Sequence, residues 1–233
     1  RTRRRPHLAR RHHSGSWKLV RVIDAHVHVL DDYQPMAPFQ DMGRVDRLLQ
    51  WMDDAEVEKA VMLPIVADFS PDNNVECGRW ARDHADRLAS MTDVPLHESN
   101  APARVLAARD QYGAVAISCY PSTPDLEWLT TPAKDPLWDA FSDSGLPCNL
   151  HVSPPNYAHV IDAARQHPEV SIVLNHFALP KSGDITPDDP SYGSLAEASD
   201  LPNLFVKVSA FYAVAGTSWD PACPAPLAYL QRL

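Results

Sequence analysis

Histidine carries most of the chemical signal in this chain, and its spacing is informative. Residues 22–29 read VIDAHVHV. In an extended strand alternate side chains share a face, so Asp24, His26 and His28 point one way while Ala25, Val27 and Val29 point the other. Two imidazoles at this spacing can converge on one metal ion. Zn²⁺ suits neutral imidazole nitrogen at about 2.0–2.1 Å, and Asp24 could orient a ligand from behind. Taken alone, the same H-x-H pattern also fits incidental histidines on a half-buried strand. Two more histidines tip the balance. His151 ends the run PCNLH, and His176 ends VSIVLNH. Each sits at the C-terminal tip of a short apolar run and precedes a proline-containing loop, which is where α/β barrels carry catalytic groups.

The elements that must position these rings alternate in type. Strand candidates are Leu19–Val29, Ala60–Val66, Leu88–Met91, Ala114–Tyr120, Pro147–Val152, Val170–His176 and Leu204–Ala210. Helix candidates fall between them at Val45–Glu56, Asn74–Asp86, Pro102–Gln111, Asp135–Ser144, Tyr157–Gln166 and Ser194–Asp200, with a last one after Asp220. Asp135–Pro136 reads as a capping carboxylate before a first-turn proline, Gly145 as a helix stop, and His167–Pro168 as another. Alternation with short connections predicts a parallel sheet with helices outside it. Seven such units fit a TIM-type (β/α)8 barrel lacking its eighth strand, although spacing alone leaves a doubly wound sheet open.

With 233 residues and 45% hydrophobic content the chain fits one soluble domain. Residues 1–16 hold six arginines and no acid, and read as a disordered extension. Residues 17–233 read as a single barrel domain. The formal net charge of −9 argues against nucleic acid as the main partner. No apolar run approaches the roughly 18 residues of a membrane span. Four cysteines without a C-x-x-C pair suggest buried free thiols at Cys119 and Cys148 and a reducing cytoplasm. His84, His97, His159 and His167 read as surface residues, and the tryptophans as packing anchors. Trp219 alone among them is kept as a candidate pocket wall.

Ordered together, several segments resemble the amidohydrolase superfamily, more closely its amidohydrolase 2 branch of lactonases and decarboxylases. They are IDAHVHV, DPLWDAFSDSGLPCNLH, VLNHF and NLFVKVSA, and the likeness extends over residues 19–233. The resemblance implies His26, His28 and His151 as metal ligands, and His176 as a ligand or as a group polarising substrate or water. It implies one divalent ion, Zn being the expectation, or a metal-free mechanism that uses an Asp and the histidines. Residues 113–120 hold no lysine to bridge a second metal. The family's strand-8 Asp, ligand and general base, has no counterpart in register: Asp184, Asp188, Asp189 and Asp220 fall in loops or at a helix start. The expectation is a C-terminally incomplete barrel of weak activity or none.

Lys207 and Ser209 alternate on one run, Tyr212 follows it, Tyr120 ends another, and Lys181 lies after His176. These could hold a carboxylate or ring oxygen of a small substrate at the barrel mouth. The leading expectation is therefore hydrolysis of a small lactone or other carbonyl compound, with His176, His151 and Asp24 in catalysis. The alternatives are non-oxidative decarboxylation at the same site and a non-catalytic barrel piece whose open edges invite homo-oligomerisation.

Overall fold

The structure, a computed structural model, describes residues 21–31, 43–121, 125–180, 185–211, 214 and 224–233. The arginine-rich head, Lys181, Tyr212, Trp219 and Asp220 therefore lie outside the described residues. The strands are β1 (Ile23–Val27), β2 (Lys59–Met62), β3 (Leu88–Ser90), β4 (Thr92–Asp93), β5 (Ile117–Cys119), β6 (Cys148–Leu150), β7 (Ile172–Leu174) and β8 (Leu204–Val206). The helices are α1 (Val45–Asp54), α2 (Asn73–Asp83), α3 (Ala101–Tyr112), α4 (Asp135–Ser144), α5 (Tyr157–Gln166), α6 (Pro190–Glu197) and α7 (Pro224–Arg232).

Every pairing between neighbouring strands is parallel, in the orders β1-β2-β3 and β4-β5-β6-β7-β8. β3 and β4 are consecutive pieces of one barrel strand, interrupted at Met91. β3 pairs with β2 on one side, and β4 pairs with β5 on the other. The expected strand at Leu88–Met91 thus continues to Asp93. The seven expected strands are present as a partial barrel, all but that one shorter than the apolar run. Among the described residues β1 and β8 share no ladder. Lys207 reaches across instead, its Nζ donating to the Ala25 carbonyl at 2.8 Å.

The sequence explains the helices around this ring. In α1, Val45, Leu48, Leu49 and Met52 recur at helical spacing and turn toward the small core that includes Val29, Ala60, Met62, Trp80 and Leu88. α4 ends at Gly145 in the left-handed conformation (φ 62°), as its position after the last periodic residue suggests. Asp135 does not cap that helix. It is the first helical residue, and no side-chain cap bond forms there. Among the described residues the helix cap that does form is Asp189, whose carboxylate accepts the Ser191 N–H ahead of α6. Gly78 is required by close packing, since a Cβ there would lie 2.8 Å from the Tyr112 carbonyl oxygen. His167 is not a surface residue, because its ring stacks on Trp138 at 4.7 Å. Cys77, Cys119 and Cys148 are buried free thiols, and burial pushes each of them up, Cys119 to about 12. No described helix is long and apolar enough to cross a membrane.

Candidate active site at the strand ends

The C-terminal ends of β1, β6 and β7 bring the four histidines together. The His26 ring lies 5.0 Å from that of His28 and 4.3 Å from that of His176, while His151 lies 5.6 Å from His176. Tyr120, just past β5, joins the group at 4.7 Å from His151 and 6.4 Å from His28. Parallel strands in register place equivalent tips side by side, so residues distant in sequence become one cluster.

Each ring is oriented by a different neighbour. His28 Nδ1 lies 2.8 Å from the Leu63 carbonyl, which can only accept, so Nδ1 carries the proton and Nε2 keeps its lone pair. His176 Nδ1 lies 2.9 Å from Ser209 Oγ. Nδ1 of His26 and of His151 is buried with no hydrogen-bond partner among the described residues. Asn175 sits beside His26 and favours its charged form, yet neither amide atom of Asn175 makes a hydrogen bond of ordinary geometry.

Burial disfavours the imidazolium in all four rings. Desolvation, then repulsion from His176, His28 and Lys207, lowers His26 to about 2. Desolvation lowers His151 to about 4, with His28 adding to it, and lowers His176 to about 4, with His151, His28 and Lys207 adding. His28 is lowered by the same cause. The cluster is therefore neutral near pH 7 and can accept protons or ligate a cation. Lys207 is half-buried, and desolvation lowers it to about 8 against the opposing pull of Asp24.

The fit to a metal ion is partial. His26 Nε2 and His28 Nε2 face each other at 3.2 Å, close to the roughly 3.3 Å expected of two nitrogens bound tetrahedrally to one Zn²⁺. Among the described residues, however, no three His, Cys, Asp or Glu side chains gather closely enough to hold an ion. Two ligand places are formed and a third is not.

Asp24 is placed differently from the four rings. It is exposed, its Oδ1 accepts the His26 backbone N–H at 2.9 Å, and it lines the opening between β1 and β8 with Lys207 and Ser209. Lys207, Ser209 and Tyr120 all adjoin the histidines.

Sequence reasoning passed over the residues that shape the space beside the cluster. A cavity of about 680 Å³ opens next to Tyr120 and His151 and is lined in part by Asp68, Asp93, Glu98 and Arg104. Asp93 is buried, and desolvation raises it to about 6 despite the Val66 N–H at 2.8 Å on its Oδ2. Asn74 grips its backbone from both sides, accepting from Asp93 N at 2.8 Å and donating to Asp93 O at 2.9 Å. The neighbouring Asn73 accepts from Ile65 N and donates to Val29 O, tying the ends of β1 and β2 to α2. The only hint in the sequence is the pair Asn73–Asn74 at a helix start, where Asn often serves a merely local role.

The amidohydrolase family matches this chain over residues 23–233, and the chain belongs to that family. A curated relative, L-fucono-1,5-lactonase of Burkholderia ambifaria, is 25% identical over 212 residues, which span 85% of this chain and 70% of that protein. Among solved structures, a "probable 2-pyrone-4,6-dicarboxylic acid hydrolase" of Acinetobacter baumannii with bound citric acid superposes with a TM-score of 0.68 at 17% identity, covering 91% of this chain and 77% of that one. An amidohydrolase of Burkholderia multivorans with bound zinc gives 0.64 at 17% identity, covering 82% and 70%. These neighbours agree on the barrel fold.

Proposed function

We propose that this protein hydrolyses a small lactone at the histidine cluster. The observation that carries the reading is the gathering of four neutral imidazoles, from strand ends distant in sequence, beside a cavity large enough for a sugar-sized ring. The lactonase among its relatives supports it.

In this reading a water oxygen attacks the lactone carbonyl while His176 or His151 takes its proton, which a neutral ring can do. The proton then passes to the departing ring oxygen, and the product is an open hydroxy acid. Ser209 holds the His176 ring through Nδ1, which leaves Nε2 for the reaction. The Lys207 ammonium supplies positive charge for the developing oxyanion. Tyr120 walls the site, and Asp24 steadies the β1 backbone that carries His26. A divalent ion would be held by His26 and His28, with His151 the candidate for the third place that the described residues do not form, and when bound would supply an acidified water and a polarised carbonyl.

Hydrolysis of a panel of 1,4- and 1,5-lactones, followed by acid release at constant pH, tests this directly. The expected result is turnover that His176→Asn lowers by about 10²–10⁴-fold. Absence of lactone turnover, with carbon dioxide released instead from an aromatic carboxylate, would replace the proposal with a carboxy-lyase.

A further inference from the structure

We propose that the cavity beside the histidines receives the uncharged, hydroxyl-bearing part of the substrate, and that Asp93 is the specificity residue that reads a hydroxyl there and rejects carboxylates. The inference rests on the lactonase reading and narrows it to neutral polyol lactones.

Charge carries the argument. Among the described lining residues, Asp68, Asp93 and Glu98 face one guanidinium, Arg104. Arg104 is already engaged: Nη1 donates to Glu98 Oε2 at 3.3 Å and Nη2 to the Asp93 carbonyl at 3.5 Å. An anionic substituent entering the cavity therefore meets carboxylates before it meets an uncommitted cation. A hydroxyl can donate to a carboxylate oxygen, whereas an ionised carboxylate has no proton to give.

Geometry selects Asp93 from the three acids. Asp68 is exposed, and the Glu98 side chain is half-exposed. Asp93 is 8% exposed, lies at the end of a barrel strand, and is held there by the Asn74 clamp on its backbone. Its Oδ2 takes the Val66 N–H, and among the described residues Oδ1 has no hydrogen bond, which leaves it for a ligand. A buried acceptor fixed by its own backbone discriminates better than a mobile surface acid, because a mismatched ligand leaves it unpaired. The raised pKa of Asp93, about 6, still leaves it ionised in mildly alkaline solution.

The test is calorimetric binding at about pH 8 to the full chain. One probe is a hexono-1,5-lactam, the neutral and hydrolysis-resistant nitrogen analogue of a sugar lactone, and the other is citrate. The wild type should bind the lactam and prefer it to citrate. Asp93→Asn, which keeps the acceptor for Val66 N–H, should weaken the lactam by about ten- to hundredfold and narrow the preference. Glu98→Gln, which releases Arg104, should strengthen citrate without that loss for the lactam. Equal thermal melting of the variants would show that folding is intact. The proposal is overturned if the wild type prefers citrate, if it binds no lactam, or if Asp93→Asn leaves lactam affinity unchanged. Lactam binding without turnover of any lactone would count against the hydrolase reading alone. Lactone turnover indifferent to residue 93 would count against this one alone.

Discussion

His151 and His176 illustrate how burial sets chemistry one residue at a time. Both ordinarily titrate near 6.5, and both are lowered to about 4, desolvation being the main cause. The unfolded chain therefore binds more protons than the folded one between about pH 4 and 6.5. Stability should be fully expressed above the upper limit and decline as pH falls through that window. Urea titrations of metal-free protein across this range should show the slope, and His151→Gln should reduce proton uptake on unfolding by about one. A slope that is unchanged in the variant would mean that the ring is solvated. For activity, replacing His176 with Asn should lower kcat/KM for a lactone by about 10²–10⁴-fold, the usual worth of a positioned proton acceptor. An effect confined to KM would demote it to a binding group. The imidazoles were legible in the sequence because each ends an apolar run. Asp93 was not, because its strand continues past Met91 through Thr92–Asp93–Val94, too short and polar a stretch to announce itself.

At the scale of elements, the turn after β7 departs most from what the sequence suggests. His176, Phe177, Ala178 and Leu179 have φ of 55°, 57°, 61° and 52°, a left-handed stretch with no glycine in it. Such a conformation costs L-residues roughly 1–2 kcal/mol each. Tertiary bonds hold it: Phe177 N–H donates to the Lys207 carbonyl at 2.9 Å, and Tyr157 Oη–H to the Ala178 carbonyl at 2.8 Å. The turn presents the His176 ring to its neighbours, in keeping with strain stored at working sites. Ala178 is fully buried, so glycine there relieves strain but forfeits methyl burial and adds unfolded-chain freedom, leaving a net change within about 1 kcal/mol. Valine at the same position crowds a left-handed backbone and should destabilise by about 2 kcal/mol or more. Denaturant midpoints of Ala178→Gly and Ala178→Val would check this, and equal losses would show that the turn is not strained. A sequence reading assigns left-handed turns from Gly or Asn, so HFAL gave no sign of one. The α/β alternation was legible because periodicity and glycine stops are local. The staple at Asn203 was not, since its amide nitrogen reaches the Ala164, His167 and Val170 carbonyls, contacts that only the fold creates.

The whole molecule divides where the site is assembled. β1–β3 with α1 and α2 enclose a small core, whereas β4–β8 and their helices share a much larger one. Leu63, Met91 and Ala116 form a thin apolar seam between the two. On the far side, β1 and β8 meet through the Lys207–Ala25 hydrogen bond, with Ile23 and Phe205 exposed beside it. His26 and His28 belong to the smaller part, and His151 and His176 to the larger. Apolar burial is the main source of folding stability, so the smaller part should open at lower free energy. Hydrogen exchange should accordingly be faster in β1, α1 and β2 than in β5–β7. A ligand that engages histidines from both parts stabilises only the closed arrangement, by mass action. Adding Zn²⁺ should therefore slow exchange at the amides of residues 23–29 and 59–63 much more than in β6, and His28→Ala should remove the difference. Uniform exchange throughout would show that the two parts open as one unit, and slowing confined to the larger part would show that the metal does not bridge them.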